Sequence, residues 1–283
     1  MPRLLKAAVL AAAALALAGC QKDFTAVALT STGSLVQFTT KKPTSINSTV
    51  SVTLSGGVSG DNVIRMAAQP GTNTLYCVTA KGYLCTLNVS SGAAALVSTT
   101  PFTQSLGSGN NSVVLSNPVL SFDPVGGDLR VITVDYNLLV NPLTGALDRQ
   151  ATKLAFDGSD TNNNQSPVLA GIAYQNPVSH AANTTLYALD ITTSSLLRVG
   201  DQNVGSGDSS INGGALHTIG KLNTGLGNNT GFAIAPSDGT AYASLQNSSA
   251  PTLYTIDLKG GSAASIGTIG DGTLTINSLV INP

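Results

Sequence analysis

The sequence has no glutamate and no tryptophan, and only 10% of its 283 residues are charged. Surface helices depend on glutamate, lysine, glutamine and arginine, so the missing glutamate and the 13 basic residues argue against a helical protein. Thr, Ser, Asn, Val and Gly are plentiful instead, and these are the residues of short strands and tight turns. The composition therefore predicts an all-β fold.

The small amount of charge also narrows the classes of partner and reaction. The formal net charge is −1, and the longest basic run is Lys41-Lys42. Nucleic-acid-binding domains present a basic patch, so we expect no nucleic acid partner. The sequence contains no G-x-S-x-G, H-E-x-x-H or P-loop pattern, which excludes the common hydrolase, metalloprotease and nucleotide-binding signatures. We therefore expect no cofactor, and an enzyme is the less favoured class.

The N-terminus has the parts of an export signal. Arg3 and Lys6 carry positive charge, and the apolar run from Ala7 to Ala18 ends at Gly19-Cys20. The run is shorter than the roughly twenty residues that a membrane-spanning helix needs. Its ending, Leu-Ala-Gly-Cys, resembles the bacterial lipoprotein box, in which the chain is cut before the cysteine and lipid is attached there. The other interpretation is an ordinary secretory signal with a chance cysteine.

The lipoprotein resemblance implies a domain plan and a location. Residues 1–19 would be the signal peptide, residues 20–25 a lipidated anchor and short tether, and residues 26–283 a single domain. Lipid on Cys20 would supply more than one acyl chain, which is the condition for stable membrane attachment. Residue 21 is Gln rather than the Asp that resembles an inner-membrane retention signal. We therefore expect a lipoprotein of the cell envelope, with the outer membrane favoured.

Internal repetition is the strongest signal in the rest of the chain. A short apolar strand that ends in proline recurs five times, at a spacing of roughly fifty residues. The five copies are IRMAAQP, VLSFDP, GIAYQNP, GFAIAP and SLVINP, which end at Pro70, Pro124, Pro177, Pro236 and Pro283. After each of the first four copies come alternating strands and turns, as in LYCVTAKGYLCTLNVSS. Each unit therefore predicts about four strands.

The two ends of the chain complete one another. The segment from Ala26 has the alternating strands without a proline-ending strand ahead of them, and the segment from Ser278 is a proline-ending strand with nothing after it. Pairing the last strand with the first unit closes a ring and removes the open edges of isolated sheets. This predicts a five-bladed β-propeller closed by the C-terminal strand. Six blades are the alternative if a Gly/Asn-rich segment contains a degenerate blade, and a β-sandwich of the same hairpins is the other fold considered.

Two stretches resemble a known family. LSFDPVGGDLRVITVDYNLLVNPLTGALD, from Leu120 to Asp148, and LYTIDL, from Leu253, resemble the bacterial family named domain of unknown function 4394. Its repeats carry phrases such as F-N-P, D-R-L-R-V, N-L-R-x-N-P-x-T-G and L-Y-x-I-D. The matching positions are Arg130, Asn137, Asn141 and Gly145, and the departures are Gly127 and Leu139. The resemblance implies a propeller-like repeat layout and brings no assigned activity or active site.

The aspartates are the residues from which an acidic active site would have to be built. Most of them stand beside glycine or in turn clusters, where a short carboxylate binds the local backbone. This group is Asp61, Asp128, Asp148, Asp201, Asp208, Asp238 and Asp271. Three others recur at strand ends in different units, and we expect them to hold the following turns. They are Asp123, Asp190 and Asp257.

One loop has an oxygen-rich pattern that could bind a metal. In DGSDTNNNQ, Asp157 and Asp160 belong to alternating oxygen ligands of the kind that calcium prefers. The segment lacks the bidentate acid that closes such a loop. We therefore expect a solvated loop and no metal, with Asp157 and Asp160 as the candidates if an ion does bind.

Cys77 and Cys85 flank the turn at residues 80–82. Its third residue is glycine, which suits a three-residue hairpin with a bulge, and in that register the two cysteines are opposite each other. Opposed Cα atoms are about 4.5 to 5.5 Å apart, a distance that a disulfide spans. An exported chain also meets an oxidising compartment. A two-residue turn would set Cys77 against Thr86 instead, and two buried thiols are the alternative to the disulfide.

Two functions are consistent with these features. The first is a non-enzymatic, membrane-anchored scaffold or binding module for an envelope protein or glycan, because rigid blades present polar loops and no catalytic set is visible. The alternative is a carbohydrate-active hydrolase or lyase with aspartates in the central channel. That enzyme needs two carboxylates about 5 to 10 Å apart. A channel lined by Ser, Thr and apolar residues favours the binding module.

Substitution of Cys20 tests the lipid anchor. Serine has no thiol to carry a thioether-linked lipid, so we expect the Cys20→Ser protein to enter the soluble periplasmic fraction or to remain unprocessed. Cell fractionation followed by immunoblotting measures this, with Lys22→Ser as a control that leaves the cysteine in place. A processed Cys20→Ser protein that still fractionates with the membrane contradicts the prediction.

Overall fold

The computed structural model describes residues 22–107, 112–247 and 249–281 of the chain. Within these ranges the protein is all-β, with 22 strands in five sheets and the short 3₁₀ helices Phe102–Leu106 and Ser210–Gly213. No helix in the described ranges is long and apolar enough to cross a membrane. The all-β prediction is confirmed.

The strands fall into five consecutive groups along the chain, which we call the first to fifth blades. The first blade contains β1 (Thr25–Thr30), β2 (Ser34–Thr39) and β3 (Ser48–Ser51). The second contains β4 (Thr53–Ser55), β5 (Val63–Ala68), β6 (Leu75–Thr79), β7 (Leu84–Leu87) and β8 (Ala93–Leu96). The third contains β9 (Val119–Phe122), β10 (Leu129–Ile132), β11 (Asn137–Val140) and β12 (Leu147–Ala151).

The last two blades and the final strand complete the set. The fourth blade contains β13 (Ala155–Phe156), β14 (Leu169–Tyr174), β15 (Asn183–Asp190), β16 (Ser195–Gly205) and β17 (Ala215–Lys221). The fifth contains β18 (Gly231–Ile234), β19 (Ala241–Leu245), β20 (Thr252–Ile256) and β21 (Ala263–Thr268). The final strand, β22 (Ile276–Ile281), belongs to the first blade.

Four antiparallel strands form the body of each blade, and the innermost of them faces the axis of the molecule. The inner strands are β22, β5, β9, β14 and β18, and neighbouring inner strands contact one another around the axis. They are the apolar, proline-ending strands of the sequence repeat. Two blades have a fifth strand at the outer edge, where β4 pairs parallel with β8 and β13 pairs parallel with β17. These short strands cover an outer edge that would otherwise be open.

The chain ends meet in the first blade and close the ring. Strand β22 is antiparallel to β1, with Val27 opposite Val280 and Ala28 opposite Leu279. On the other side β22 contacts β18 of the fifth blade. The rings of Phe24 and Tyr242 also pack edge to face across this junction, with centroids 6.1 Å apart. The five-bladed propeller closed by the C-terminal strand is confirmed.

The apolar core is divided among the five junctions between blades. Each junction contains one cluster of buried residues drawn from both flanking blades. Representative members, going round the ring, are Val27 with Leu75, Val78 with Val131, Ile132 with Leu197, Leu189 with Phe232, and Ala28 with Tyr242. Strands that bury both faces in this way read as near-continuous apolar runs, such as AVALT in β1. Every blade therefore needs two neighbours to bury its faces.

Removal of residues 278–283 tests ring closure. The deletion takes away Leu279, Val280 and Ile281, which are all buried, and each such side chain stabilises the fold by about 1.5 to 3 kcal/mol. The sum is comparable with a typical net stability of about 5 to 15 kcal/mol. We expect the truncated protein to lose its cooperative thermal transition. Ser278→Ala keeps the strand and serves as the control, and an unchanged melting temperature after truncation contradicts closure by β22.

Candidate functional site

A cavity of about 320 Å³ lies on the axis of the ring. We call it the central cavity. It is lined by the five inner strands and by the turns that follow three of them, in residues 65–73, 119–122, 170–174, 230–234 and 277–281. Pro70, Pro177 and Pro236 also line it. Val178 and Pro236, which both line the cavity, are exposed and Pro177 is half-buried, so the cavity opens at the end where the inner strands finish.

The inner strands of the fourth, fifth and first blades lie very close to one another. A Cβ atom at Gly171 would lie 2.8 Å from Cβ of Phe232, and a Cβ at Gly231 would lie 2.5 Å from Cβ of Leu279. Ser278, at the matching position of β22, accepts a hydrogen bond from the backbone N–H of Met66 at 3.1 Å. Glycine and serine at this position allow the strands to come together around the axis.

Arg65 occupies the matching position in β5. Neighbouring inner strands contact one another with a fixed offset of one residue. Gly171 of β14 is next to Phe232, the residue after Gly231, and Gly231 of β18 is next to Leu279, the residue after Ser278. Ser278 of β22 is likewise bonded to Met66, the residue after Arg65. By that relation the counterpart in β5 is Arg65. The contact of Ser121 with Tyr174, two residues further along β9 and β14, makes Val119 the counterpart in β9. The single charged side chain of the series therefore stands among residues that are small or apolar.

The Arg65 side chain crosses the end of the cavity where the inner strands begin. Its Nε donates to the carbonyl oxygen of Pro118 at 2.7 Å, and its two terminal nitrogens donate to the carbonyls of Ile64 and Asn228, each at 3.3 Å. The residue is 7% exposed, and burial lowers its pKa to about 10. Arg65 is therefore still a cation at neutral pH. It forms no ion pair within the described part of the chain.

The sequence analysis did not single out Arg65. The signal was present in the repeat: IRMAAQP has a charged residue where the other four copies have Val119, Gly171, Gly231 and Ser278. Recognising it required knowing which repeat position faces the axis. That information comes from the assembled ring.

A second buried arginine, Arg130, joins the third and fourth blades beside the central cavity. It donates to the Tyr174 hydroxyl at 2.7 Å, to Asn137 Oδ1 at 2.6 Å and to Asn212 Oδ1 at 2.7 Å. Burial raises the pKa of Tyr174 to about 12, so its hydroxyl stays neutral and accepts this bond. Two of the residues that match the family phrases, Arg130 and Asn137, thus form a buried structural network.

The repeated aspartates hold turns, as predicted from their positions. Oδ1 of Asp123 accepts from the backbone N–H of Val125 and Gly126, Oδ2 of Asp190 accepts from Thr193, and Oδ1 of Asp257 accepts from Lys259. The described residues that line the central cavity include no aspartate and no histidine. The cavity therefore lacks the pair of carboxylates that the hydrolase alternative needs.

Carboxylates gather in a different place, a cleft of about 360 Å³ between the third and fourth blades. Burial, followed by the charges of Asp148 and Asp123, raises the pKa of Asp128, while Arg130 and Arg149 oppose the shift. A carboxyl group with a raised pKa beside a second carboxyl group is a feature of glycosidases. Here, however, the other two carboxylates are engaged locally, Asp123 by its own turn and Asp148 by the Asn141 side chain at 3.0 Å.

Both metal candidates of the oxygen-rich loop are bound locally. Asp157 accepts from Ser159, whose side-chain and backbone hydrogen bonds lower the pKa of that carboxyl. For Asp160, burial acts to raise the pKa, but hydrogen bonds from Thr218 and Asn162 outweigh it and lower the pKa. Among the described residues, no group of three or more His, Cys, Asp or Glu is placed to hold a metal ion.

The three cysteines fall into two classes. Cys20 lies outside the described residues. Cys77 and Cys85 are opposite each other on β6 and β7, with Cα atoms 4.8 Å apart and their sulfur atoms joined. The turn glycine between them, Gly82, has a left-handed φ of 81°, as the three-residue hairpin requires. Both cysteines are fully buried in the cluster between the first and second blades.

Comparison with known proteins gives a family and a fold. A family model described as "Domain of unknown function (DUF4394)" matches residues 34–279. No curated protein matches the chain significantly in sequence.

Several solved structures have a similar fold. A structural genomics protein of unknown function from Bacteroides thetaiotaomicron VPI-5482 is 14% identical, with a TM-score of 0.50, and the match covers 93% of this chain and 66% of that chain. YCF48 from Cyanidioschyzon merolae is 14% identical over 84% of this chain and 69% of its own, with a TM-score of 0.41. The Dos1 propeller is 14% identical over 86% and 57%, with a TM-score of 0.39. The chain thus spans just under two thirds of the first of these proteins, and the likeness concerns the fold alone.

Thiol titration tests the bond between Cys77 and Cys85. We expect the denatured, non-reduced mature protein to have no free thiol, because these two cysteines are joined and the lipoprotein-box resemblance predicts lipid on Cys20. Reduction should release two thiols and lower the free energy of unfolding by about 2 kcal/mol, a modest amount because the closed loop is short. Cys77→Ala, which leaves Cys85 alone, is the control that should show one free thiol without reduction. Two free thiols in the untreated wild type would refute the disulfide.

Proposed function

This chain belongs to the family described as "Domain of unknown function (DUF4394)", and since that description states no activity, we propose a function from the geometry of the chain itself. The protein is a non-catalytic binding module that is held at the bacterial cell envelope by lipid on Cys20. It takes a glycan into the central cavity.

The observation that carries this proposal is the cavity built by the five inner strands. Its volume of about 320 Å³ lies within the range of about 300 to 1,000 Å³ that small-molecule sites occupy. The walls are strands tied to their neighbours by hydrogen bonds, including Tyr174 N–H to Ser121 Oγ at 3.3 Å. A site on such strands needs little ordering when a ligand binds. A short saccharide fits this space, whereas a folded protein does not.

The chemistry of the walls favours a ligand with both hydroxyl groups and apolar faces. In an antiparallel sheet, alternate residues of an edge strand direct their N–H and C=O groups away from the partner strand. On the inner strands some of these groups bond to a neighbouring hydroxyl, as Met66 N–H does to Ser278 Oγ, and we expect the others to face the cavity. The cavity is also lined by apolar residues that are not fully buried, such as Ala68, Ala233 and Val178. A purely apolar ligand would leave backbone groups unpaired, at a cost in free energy. Sugar hydroxyls both donate and accept, and sugar C–H faces pack on apolar groups.

The N-terminal sequence supports the location. The lipoprotein-box resemblance at Cys20 implies attachment to a membrane surface, and the cavity mouth with exposed Val178 and Pro236 leaves a route for entry. A module tethered in this way would meet the saccharides of the cell envelope.

Binding is favoured over hydrolysis by where the carboxylates lie. The described lining of the central cavity has none, and in the outer cleft Asp123 and Asp148 are engaged in local hydrogen bonds. General acid catalysis of glycoside cleavage needs a paired carboxylate at the bound sugar. The glycan is therefore retained unchanged.

A glycan array probed with the mature protein tests this proposal. We expect retention of a subset of envelope saccharides, and loss of at least about tenfold in affinity, or about 1.4 kcal/mol, in Ala68→Phe. Ala68 is partly buried and lines the cavity, so an added ring occupies ligand space. Ala264→Phe, at an exposed position of β21, is the matched control and should bind as the wild type does.

Each contrary outcome has a clear meaning. Equal binding by wild type and Ala68→Phe would place the ligand outside the central cavity. Capture of an envelope protein at the blade-end loops, with no saccharide retained, would replace the glycan by a protein partner. Release of shortened saccharide from the bound ligand would show hydrolysis. Thermal melting of both variants checks that the ring is intact.

A further inference from the structure

The strongest unexplained feature of the molecule is the buried cation of Arg65. Its side chain crosses the end of the central cavity where the inner strands begin, which we call the closed end. A buried charge is ordinarily paired with an opposite charge, because loss of hydration is costly. Arg65 is buried and still charged, and it donates hydrogen bonds to three neutral carbonyl groups. Within the described residues no carboxylate approaches it, and none lines the cavity.

Packing alone does not require an arginine here. At the matching position the other inner strands have Gly171, Gly231, Ser278 and Val119, and the same ring of strands is built around them. An aliphatic residue would fill the gap between β5 and β9 without the cost of a buried charge. The cation therefore has a use that the neighbouring positions do not share.

The guanidinium group of Arg65 also has N–H donors beyond those that bond to the three carbonyl groups. Arginine carries five N–H groups, and the three hydrogen bonds to Pro118, Ile64 and Asn228 use one on each nitrogen. Each terminal nitrogen thus keeps one further N–H. A carboxylate can accept one hydrogen bond from each terminal nitrogen of an arginine in a bidentate pair.

We propose that the ligand of the central cavity is an acidic sugar, a uronic acid unit, whose carboxylate binds Arg65. This inference rests on the proposed function and adds the charge of the ligand to it. The carboxylate lies at the closed end, the hydroxyl groups meet the polar edges of the inner strands, and the remainder of the saccharide extends toward the mouth at Pro177 and Pro236.

Two kinds of carboxylate ligand could pair with Arg65, a fatty acid and a uronate. The backbone N–H and C=O groups of the inner strands favour the uronate. A fatty acid would pair with the cation but would bury its chain against backbone N–H and C=O groups, which then lose their hydrogen bonds. A uronate satisfies both the cation and these edges. A sugar phosphate offers the same pairing with a larger anion, and the experiment separates it from the uronate.

Calorimetric titration of the mature wild-type protein with digalacturonate and with its dimethyl ester is the test. The ester keeps the two sugar rings and their hydroxyl groups, adds one methyl group at each carboxyl and carries no charge. We expect the acid to bind at least about tenfold more tightly than the ester. The preference should survive moderate salt, because a buried pair is screened less than an exposed one. Decanoate and galactose phosphate, as the competing anions, should bind more weakly than digalacturonate.

Variants assign the preference to one residue. Arg65→Met removes the charge at similar length and should bind acid and ester equally, with the ester affinity retained. Arg149→Met, which removes an exposed arginine of β12 outside the cavity, should keep the wild-type preference. If Arg65→Met does not fold, the comparison of acid with ester in the wild type still decides the charge of the ligand.

The outcomes separate this inference from the proposed function. Equal binding of acid and ester by the wild type overturns the acidic ligand and leaves a neutral glycan in the cavity. Tighter binding of decanoate or galactose phosphate overturns the uronate. An unchanged preference in a folded Arg65→Met overturns the role of Arg65. No binding of any saccharide in the array overturns the proposed function itself.

Discussion

Closure of the ring is the constraint on which the rest of the structure depends. Each blade buries both of its faces, and the apolar clusters lie between blades rather than within them. The pairing of β22 with β1 joins the two ends of the chain and supplies the junction between the fifth and first blades. Without it, two blades would each expose an apolar face, and an open sheet edge would be added.

The same closure sets the width of the axis. Three of the five inner strands, β14, β18 and β22, have glycine or serine where they approach the next strand, and the contact of Gly231 with Leu279 leaves no room for a side chain. On the β5 side the corresponding residue is Arg65, whose side chain reaches across to carbonyl groups ahead of β9 and β18. The result is a cavity that is narrow, polar along its strand edges and cationic at one end. Rigidity, space and charge in one place are what a binding site for a small acidic ligand needs.

The polar residues that repeat from blade to blade have structural roles outside the central cavity. The aspartates at strand ends hold turns, and Arg130 with Asn137 and Tyr174 ties the third blade to the fourth. These groups satisfy one another, as buried polar groups must. Residues that repeat from blade to blade therefore build the ring. The residue that departs from the repeat, Arg65, is the one that distinguishes the site.

Local pattern determined the all-β class, the four-stranded unit, the five-fold count and the closure by the last strand. Strand and turn signals depend on a few neighbouring residues, and comparison of the repeat units strengthens the assignment of each one. The opposition of Cys77 and Cys85 was likewise readable, because a hairpin register depends on one short turn. The cavity was not readable in this way. Arg65, Pro118 and Asn228 are far apart along the chain, and only assembly of the ring brings them to one end of the axis. Tertiary structure decided the site because burial of a charge and the direction of a strand edge are properties of the closed ring, not of any segment of it.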